Sequence, residues 1–156
     1  MRRRHQRDKV VLVASSGGHL LQLVQLRDEW PRDRRHWITF DKPDAISLLA
    51  EEDVTFAYHP TNRNVRNFLR NVVLAFRVLR RLRPAAVVTT GAGVAVPFCW
   101  IGKVLGARII FIESFSRITE PSLTARLVHP VADEFFVQWP ELQSRFTKAK
   151  YEGALF

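Results

Sequence analysis

Two side chains in this sequence stand where they could handle a proton. His19 follows the turn Ser15-Ser16-Gly17-Gly18, and Glu113 ends the apolar run Arg108-Ile109-Ile110-Phe111-Ile112. An imidazole takes up a proton near neutral pH, and a carboxylate can do the same or orient the group that loses it. A charge at the end of an apolar strand costs free energy unless it is paired or faces a cleft, so Arg117 or Arg108 is the expected partner of Glu113. Near both residues lie groups suited to an anion. Ser15, Ser16, Gly17 and Gly18 lead into a helix whose first N–H groups lack intrahelical partners. Gly91-Ala92-Gly93 makes a second glycine turn, and Ser114 and Arg117 follow Glu113. Each turn has a plainer reading as a tight bend that packs helix against strand, and His19 could be structural. The first turn is not G-x-G-x-x-G and lacks the P-loop Lys-Ser/Thr, so dinucleotide oxidoreduction and NTP hydrolysis fit poorly.

These groups must be positioned by the surrounding elements. Val10 to Ala14 is a continuous apolar run, as in a strand covered on both faces. Helical spacing follows from Gly18 to Trp30, burying Leu20, Leu23, Val24 and Leu26. Strands are expected at His36–Phe40, Val54–Tyr58, Ala85–Thr90, Arg108–Glu113 and Glu134–Gln138. Between them fall a short helix from Asp41 to Glu51, a long one from Arg63 to Arg83 and an apolar one ending at Gly106. Another starts at a Thr119 cap with Pro121 in its first turn. Trp139-Pro140 opens a last short helix. Strands alternating with helices predict an α/β fold with a doubly wound parallel sheet. In such sheets ligands bind beyond the carboxyl ends of the strands, where the Ser15–His19, Gly91–Gly93 and Glu113–Arg117 loops would converge. The chain divides into a basic tail, residues 1–8, and one Rossmann-like domain, residues 9–156.

Composition narrows the partners. An apolar fraction of 47% and a charged fraction of 25% argue for a globular protein over a disordered one. Cys99 is the single cysteine, so no internal disulfide forms; among apolar neighbours it reads as inert core. No apolar run approaches the roughly 18 residues of a membrane-spanning helix. The net charge of +9 calls for an anionic partner. Much of it sits on the helix Arg63–Arg83, where Val65, Phe68, Leu69, Val72, Val73, Phe76, Leu79 and Leu82 form one apolar face. A solvated amphipathic helix, a nucleic-acid surface and an anionic-lipid surface are the three readings. Taking the stripe as core-facing weakens the second. The third suits Arg66, Phe68, Arg70, Phe76, Arg77 and Arg80, placing the protein peripherally on a membrane with no nucleic acid as partner.

The ordered set Val11-Leu12-Val13-Ala14-Ser15-Ser16-Gly17-Gly18-His19-Leu20, the run Val87–Pro97, Ile112-Glu113-Ser114-Phe115-Ser116-Arg117 and Phe136–Leu142 resembles the Alg14-like family. That family includes the PssD- and CpsF-type subunits of exopolysaccharide biosynthesis. The helix around Leu123–Leu127 and the ending Tyr151–Phe156 match too, so the resemblance runs from Lys9 onward. It implies a domain equivalent to the N-terminal half of a GT-B glycosyltransferase, similar to the acceptor-binding domain of MurG. It also implies an inverting transfer without a bound metal, to a polyprenyl-diphosphate-linked acceptor at the cytoplasmic membrane face. The UDP-sugar donor would sit on a separate Alg13- or PssE-like subunit, with no cofactor on this chain alone. His19 maps to the residue near the reacting hydroxyl, with Glu113 as the competing base or an orienting group. Eukaryotic members begin with a transmembrane anchor; here a basic tail stands in that place, so peripheral attachment is expected. The rival function is a non-catalytic recruiter that tethers a catalytic partner.

Overall fold

The computed structural model describes residues 8–155, so the basic tail expected at 1–8 lies, apart from Asp8, outside them. The strands are β1 (Val10–Ala14), β2 (Arg35–Thr39), β3 (Val54–Phe56), β4 (Ala86–Gly91), β5 (Arg108–Ile112), β6 (Glu134–Val137) and β7 (Ala149–Tyr151). All pair in parallel, in the order β3-β2-β1-β4-β5-β6-β7. The order reverses between β1 and β4, which sets the switch point of a doubly wound, Rossmann-like sheet. The helices are α1 (Gly18–Val24), α2 (Pro43–Leu48), α3 (Val65–Leu82), α4 (Ala95–Val104) and α5 (Leu123–Val128).

Alternation along the strands divides the core in two. Val11, Val13, Ile38, Ile109 and Phe111 pack beneath α3, α4 and α5, which contribute Ala75, Leu79, Phe98 and Ala125. Val10, Leu12 and Trp37 point to the other face, under Leu20 and Leu23 of α1 and Ala45 of α2. Cys99 is fully buried in the first layer, and burial pushes its thiol far above the usual range, so it is inert core.

Several boundaries differ from the expected ones. The first helix stops at Val24, because i→i−3 bonds from Gln25 and Leu26 tighten it and a 3₁₀ turn follows at Arg27–Glu29. Thr119 caps nothing; Ser122 does, its hydroxyl accepting from the N–H of Ala125 at 3.0 Å. The last short helix is a 3₁₀ helix, Pro140–Arg145, and it leads into β7, an edge strand that three mostly polar residues do not announce.

The largest correction concerns α3. Its inward face is Asn67, Asn71, Ala75, Val78, Leu79 and Leu82. Asn71 accepts from the N–H of Tyr58 at 2.9 Å and donates to the carbonyl of Tyr58, and Asn67 donates to the carbonyl of Pro60. These amides satisfy the backbone of the β3–α3 loop, which takes the inward position away from the apolar stripe. Val65, Phe68, Leu69, Val73 and Phe76 therefore face outward, from 43% exposed at Phe68 to 72% at Val65.

Gly102 in α4 lies where a Cβ would come 2.9 Å from Cγ2 of Val87 and 3.2 Å from Cδ1 of Ile109. A helical Gly→Ala change ordinarily stabilises by about 1 kcal/mol. Here overpacking reverses the sign, so Gly102→Ala is expected to lower stability by about 1–2 kcal/mol in urea unfolding. His129 carries a second prediction. Its ring packs on Phe135 and Phe146, its buried Nε2 has no partner among the described residues, and burial, then the nearby Lys148, hold its pKa below the usual value. The unfolded chain binds that proton first, so this contribution is complete above the ordinary imidazole value of about 6.5 and falls as the pH drops below it. Thermal unfolding of His129→Phe between neutral and mildly acid pH is expected to show a shallower loss than the parent.

Candidate functional site

The loops after β1, β4 and β5 lie at the carboxyl ends of adjacent strands, as the order of the sheet requires. At the first, Gly17 adopts φ +82° and donates its N–H to Oδ2 of Asp44 at 2.7 Å. α1 then begins, with His19 on its first turn. Nδ1 of His19 lies 2.8 Å from the carbonyl oxygen of Thr90, at the end of β4. A carbonyl only accepts, so Nδ1 carries the proton and Nε2 of the neutral ring keeps its lone pair. The hydroxyl of Thr90 donates back to the carbonyl of His19 at 2.6 Å, closing a two-way clamp across the switch point.

The second glycine turn is shaped to admit this ring. Gly91 has φ +108°, and a Cβ there would sit 3.4 Å from Cε1 of His19. A larger residue would be strained and would press on the imidazole. Ala92 is also left-handed, at φ +72°, and Gly93 lets Oγ1 of Thr61 approach to 3.1 Å of where its Cβ would be. Ser15, Ser16 and Gly17 are half-buried and Gly18 is exposed, with open space where side chains of the two glycines would be.

Glu113 is completely buried but meets neither expected arginine. Arg108 pairs with Glu134, and Arg117 is exposed. Its carboxylate instead accepts from the N–H of Ser114 (2.9 Å), the N–H of Ser122 (2.8 Å) and the hydroxyl of Ser122. Hydrogen bonds to an ionised acceptor are the strong kind, and they replace the missing cation. Because Ser122 also caps α5, Glu113 fixes that helix to the end of β5.

Sequence reasoning passed over the residues that join these loops. Gln22, three residues after His19 on α1, accepts through Oε1 from the N–H of Phe115 (2.9 Å) and from Nε2 of Gln138 (2.7 Å). Gln138 also donates to the carbonyl of Glu113 and accepts from the N–H of Leu155, and Trp139 donates to the carbonyl of Phe115. Ser114 is buried, with its hydroxyl 3.0 Å from that of Ser116. One signal was available: Gln22 interrupts an apolar run at a position that helical spacing turns inward. Thr90, Ser122 and Gln138 carried none.

The candidate lipid-facing residues form a separate surface on α3. Arg66, Phe68, Arg70, Phe76, Arg77 and Arg80 are all exposed. Arg70 lies over Tyr58 and Arg80 over Phe76, and Tyr58, Leu69, Arg70, Val73, Leu74 and Arg77 line a groove of about 280 Å³. No helix among the described residues is long and apolar enough to cross a membrane.

An all-parallel sheet with glycine turns at its switch point defines a Rossmann-like domain. Acinetobacter baumannii MurG superposes with a TM-score of 0.69 at 18% identity, over 85% of this chain and 42% of that one. A UDP-GlcNAc 2-epimerase from Methanocaldococcus jannaschii superposes with a TM-score of 0.73 at 13% identity, over 94% and 45%. This chain thus spans less than half of either protein. Residues 58–155 match the family described as oligosaccharide biosynthesis protein Alg14 like, and the chain belongs to that family. Its relatives include proteins named UDP-N-acetylglucosamine transferase subunit ALG14. The Debaryomyces hansenii protein is 37% identical over 94% of this chain and 75% of its own length. The human one is 26% identical over 94% and 82%. With that of Eremothecium gossypii the match is 38% identical over 58% of this chain and 46% of the relative.

Glu113→Gln places an amide N–H against groups that already donate. It is expected to cost about 2–4 kcal/mol, read as a lower urea midpoint with an unchanged slope. Ser122→Ala, which removes the α5 cap and one of those donors, should cost about 1–2 kcal/mol. Wild-type stability in both variants would exclude this account of the buried carboxylate.

Proposed function

We propose that this chain is the acceptor-binding, membrane-associated subunit of a two-component, inverting UDP-sugar glycosyltransferase, acting on a polyprenyl-diphosphate-linked sugar at the cytoplasmic face of a membrane. The observation that carries the reading is the clamped ring of His19, held at the switch point through Nδ1, with no hydrogen bond to Nε2 among the described residues. Nε2 takes the proton of the acceptor hydroxyl as that oxygen attacks the anomeric carbon of the donor. The bond to UDP breaks on the opposite face, the configuration inverts, and UDP leaves with the bonding electrons. Ser15, Ser16, Gly17, Gly18, Gly91, Ala92, Gly93, Ser114 and Arg117 form the acceptor's cradle, where the guanidinium of Arg117 meets its anionic part; the N–H groups of Gly17, Gly91 and Ser114 are already bonded to Asp44, Thr89 and Glu113. Glu113 acts as a positioning residue, since its oxygens already hold Ser114 and Ser122.

An Alg13- or PssE-like subunit supplies the donor site in this reading, with UDP-sugar bound mainly there and no metal required. The relatives' naming as subunits supports a partner. The outward stripe of α3 with its arginines suits an anionic lipid surface, because apolar residues enter the interface while the cations meet lipid phosphates. Attachment is peripheral.

In the reconstituted pair, His19→Ala and His19→Gln are expected to lower kcat by about 10²–10⁴-fold while the complex still forms. Unchanged turnover would instead favour a recruiter whose partner holds all the chemistry. Phe68→Ser with Phe76→Ser should weaken sedimentation with phosphatidylglycerol vesicles several-fold without moving Tm. Steeply salt-dependent RNA binding with no vesicle binding would point to a nucleic-acid partner.

A further inference from the structure

The carboxyl edge of the sheet carries a second histidine that the mechanism above leaves unused. Asp41 lies just beyond β2 and His59 just beyond β3, and Nε2 of His59 is 2.6 Å from Oδ1 of Asp41. The ring leans on Phe40, with centroids 5.2 Å apart at 48°. The histidine beside Asp41 holds that carboxyl below the usual carboxylate range. A carboxylate only accepts, so Nε2 carries the proton here, and Nδ1 has no hydrogen-bond partner among the described residues. The side chain of His59 is 29% exposed, enough for a ligand to reach it.

The surroundings connect this pair to both glycine turns and to α3. Thr61, two residues on, is the residue that Gly93 admits. Asp44, three residues beyond Asp41, accepts the N–H of Gly17. Arg63 is exposed, and α3 begins at Val65, its most exposed apolar position. Residues 59–63 therefore bridge the apolar start of α3 and the turn that seats His19.

We propose that the Asp41–His59 pair is an anion subsite for the diphosphate of a membrane-tethered acceptor, placed where the head group passes from the α3 surface to the glycine turns. This rests on the reading of the acceptor given above. A diphosphate oxygen meets Nδ1, and the doubly protonated ring donates to it there while Nε2 donates to Asp41. Lys42 is exposed and acts on Asp41, helping to hold its carboxyl low. A role limited to pinning the two loops would need no accessible second nitrogen.

The test is binding of the full chain to phosphatidylcholine vesicles that carry either undecaprenyl diphosphate or phosphatidylglycerol at equal surface charge. The parent is expected to prefer the diphosphate vesicles, with soluble inorganic pyrophosphate competing only weakly for want of a tether. His59→Ala should lose about tenfold in affinity for the diphosphate vesicles, and Asp41→Asn several-fold. Phosphatidylglycerol binding and Tm should hold in both. Strong competition by pyrophosphate would reassign the subsite to a free anion. Variants that keep the preference, or lose affinity equally for both vesicles, overturn the subsite alone. A parent with no preference overturns the acceptor reading and the subsite together.

Discussion

The clamp between His19 and Thr90 is the constraint on which the site depends. β1 and β4 are neighbours in the sheet but far apart in sequence, and their crossover chains leave in opposite directions at the switch point. A ring nitrogen and a hydroxyl, each bonded to the other residue's backbone carbonyl, tie the start of α1 to the end of β4. The clamp needs Gly91, because a side chain there would meet the imidazole. One pair of bonds thus fixes the tautomer of the ring, the position of the helix and the residue beneath it.

From α1 the constraint passes to the other side of the site. Gln22 lies one turn beyond His19 and joins Phe115 and Gln138, while Glu113 holds Ser114 and Ser122. Buried polar groups tolerate this only when partnered, and here amide and hydroxyl donors meet the carboxylate in place of an arginine. The result is a polar floor beneath the β5 loop, with its charge compensated inside the protein. The carboxylate thereby ties the Ser114 and Ser122 loops to the end of β5.

α3 obeys a different rule. Its apolar stripe has the periodicity of a core-facing helix, yet two asparagines take the inward position because the backbone of the β3–α3 loop has to be satisfied there. Periodicity reports that one side of a helix is apolar; what covers that side is decided by the neighbours. Turned outward and flanked by arginines, the stripe lies on the protein's surface. The loop those asparagines hold is the same one that carries His59.

Much of the architecture was legible in the residues themselves. Continuous apolar runs marked β1, β4 and β5, alternation with helical spacing implied a parallel sheet, and the Gly17 and Gly91 turns placed His19 at a strand's carboxyl end. Those features are local, set by a few consecutive residues and the backbone conformations open to them. β7 escaped because an edge strand of three residues needs little apolar content, and Ser122 displaced Thr119 as a cap through a bond to Glu113. Only the tertiary structure decided which nitrogen of His19 is hydrogen-bonded, which groups meet Glu113 and which way α3 faces. Each of those depends on a group brought close from a distant part of the chain, and hydrogen-bond partners at long range leave no periodicity in a sequence.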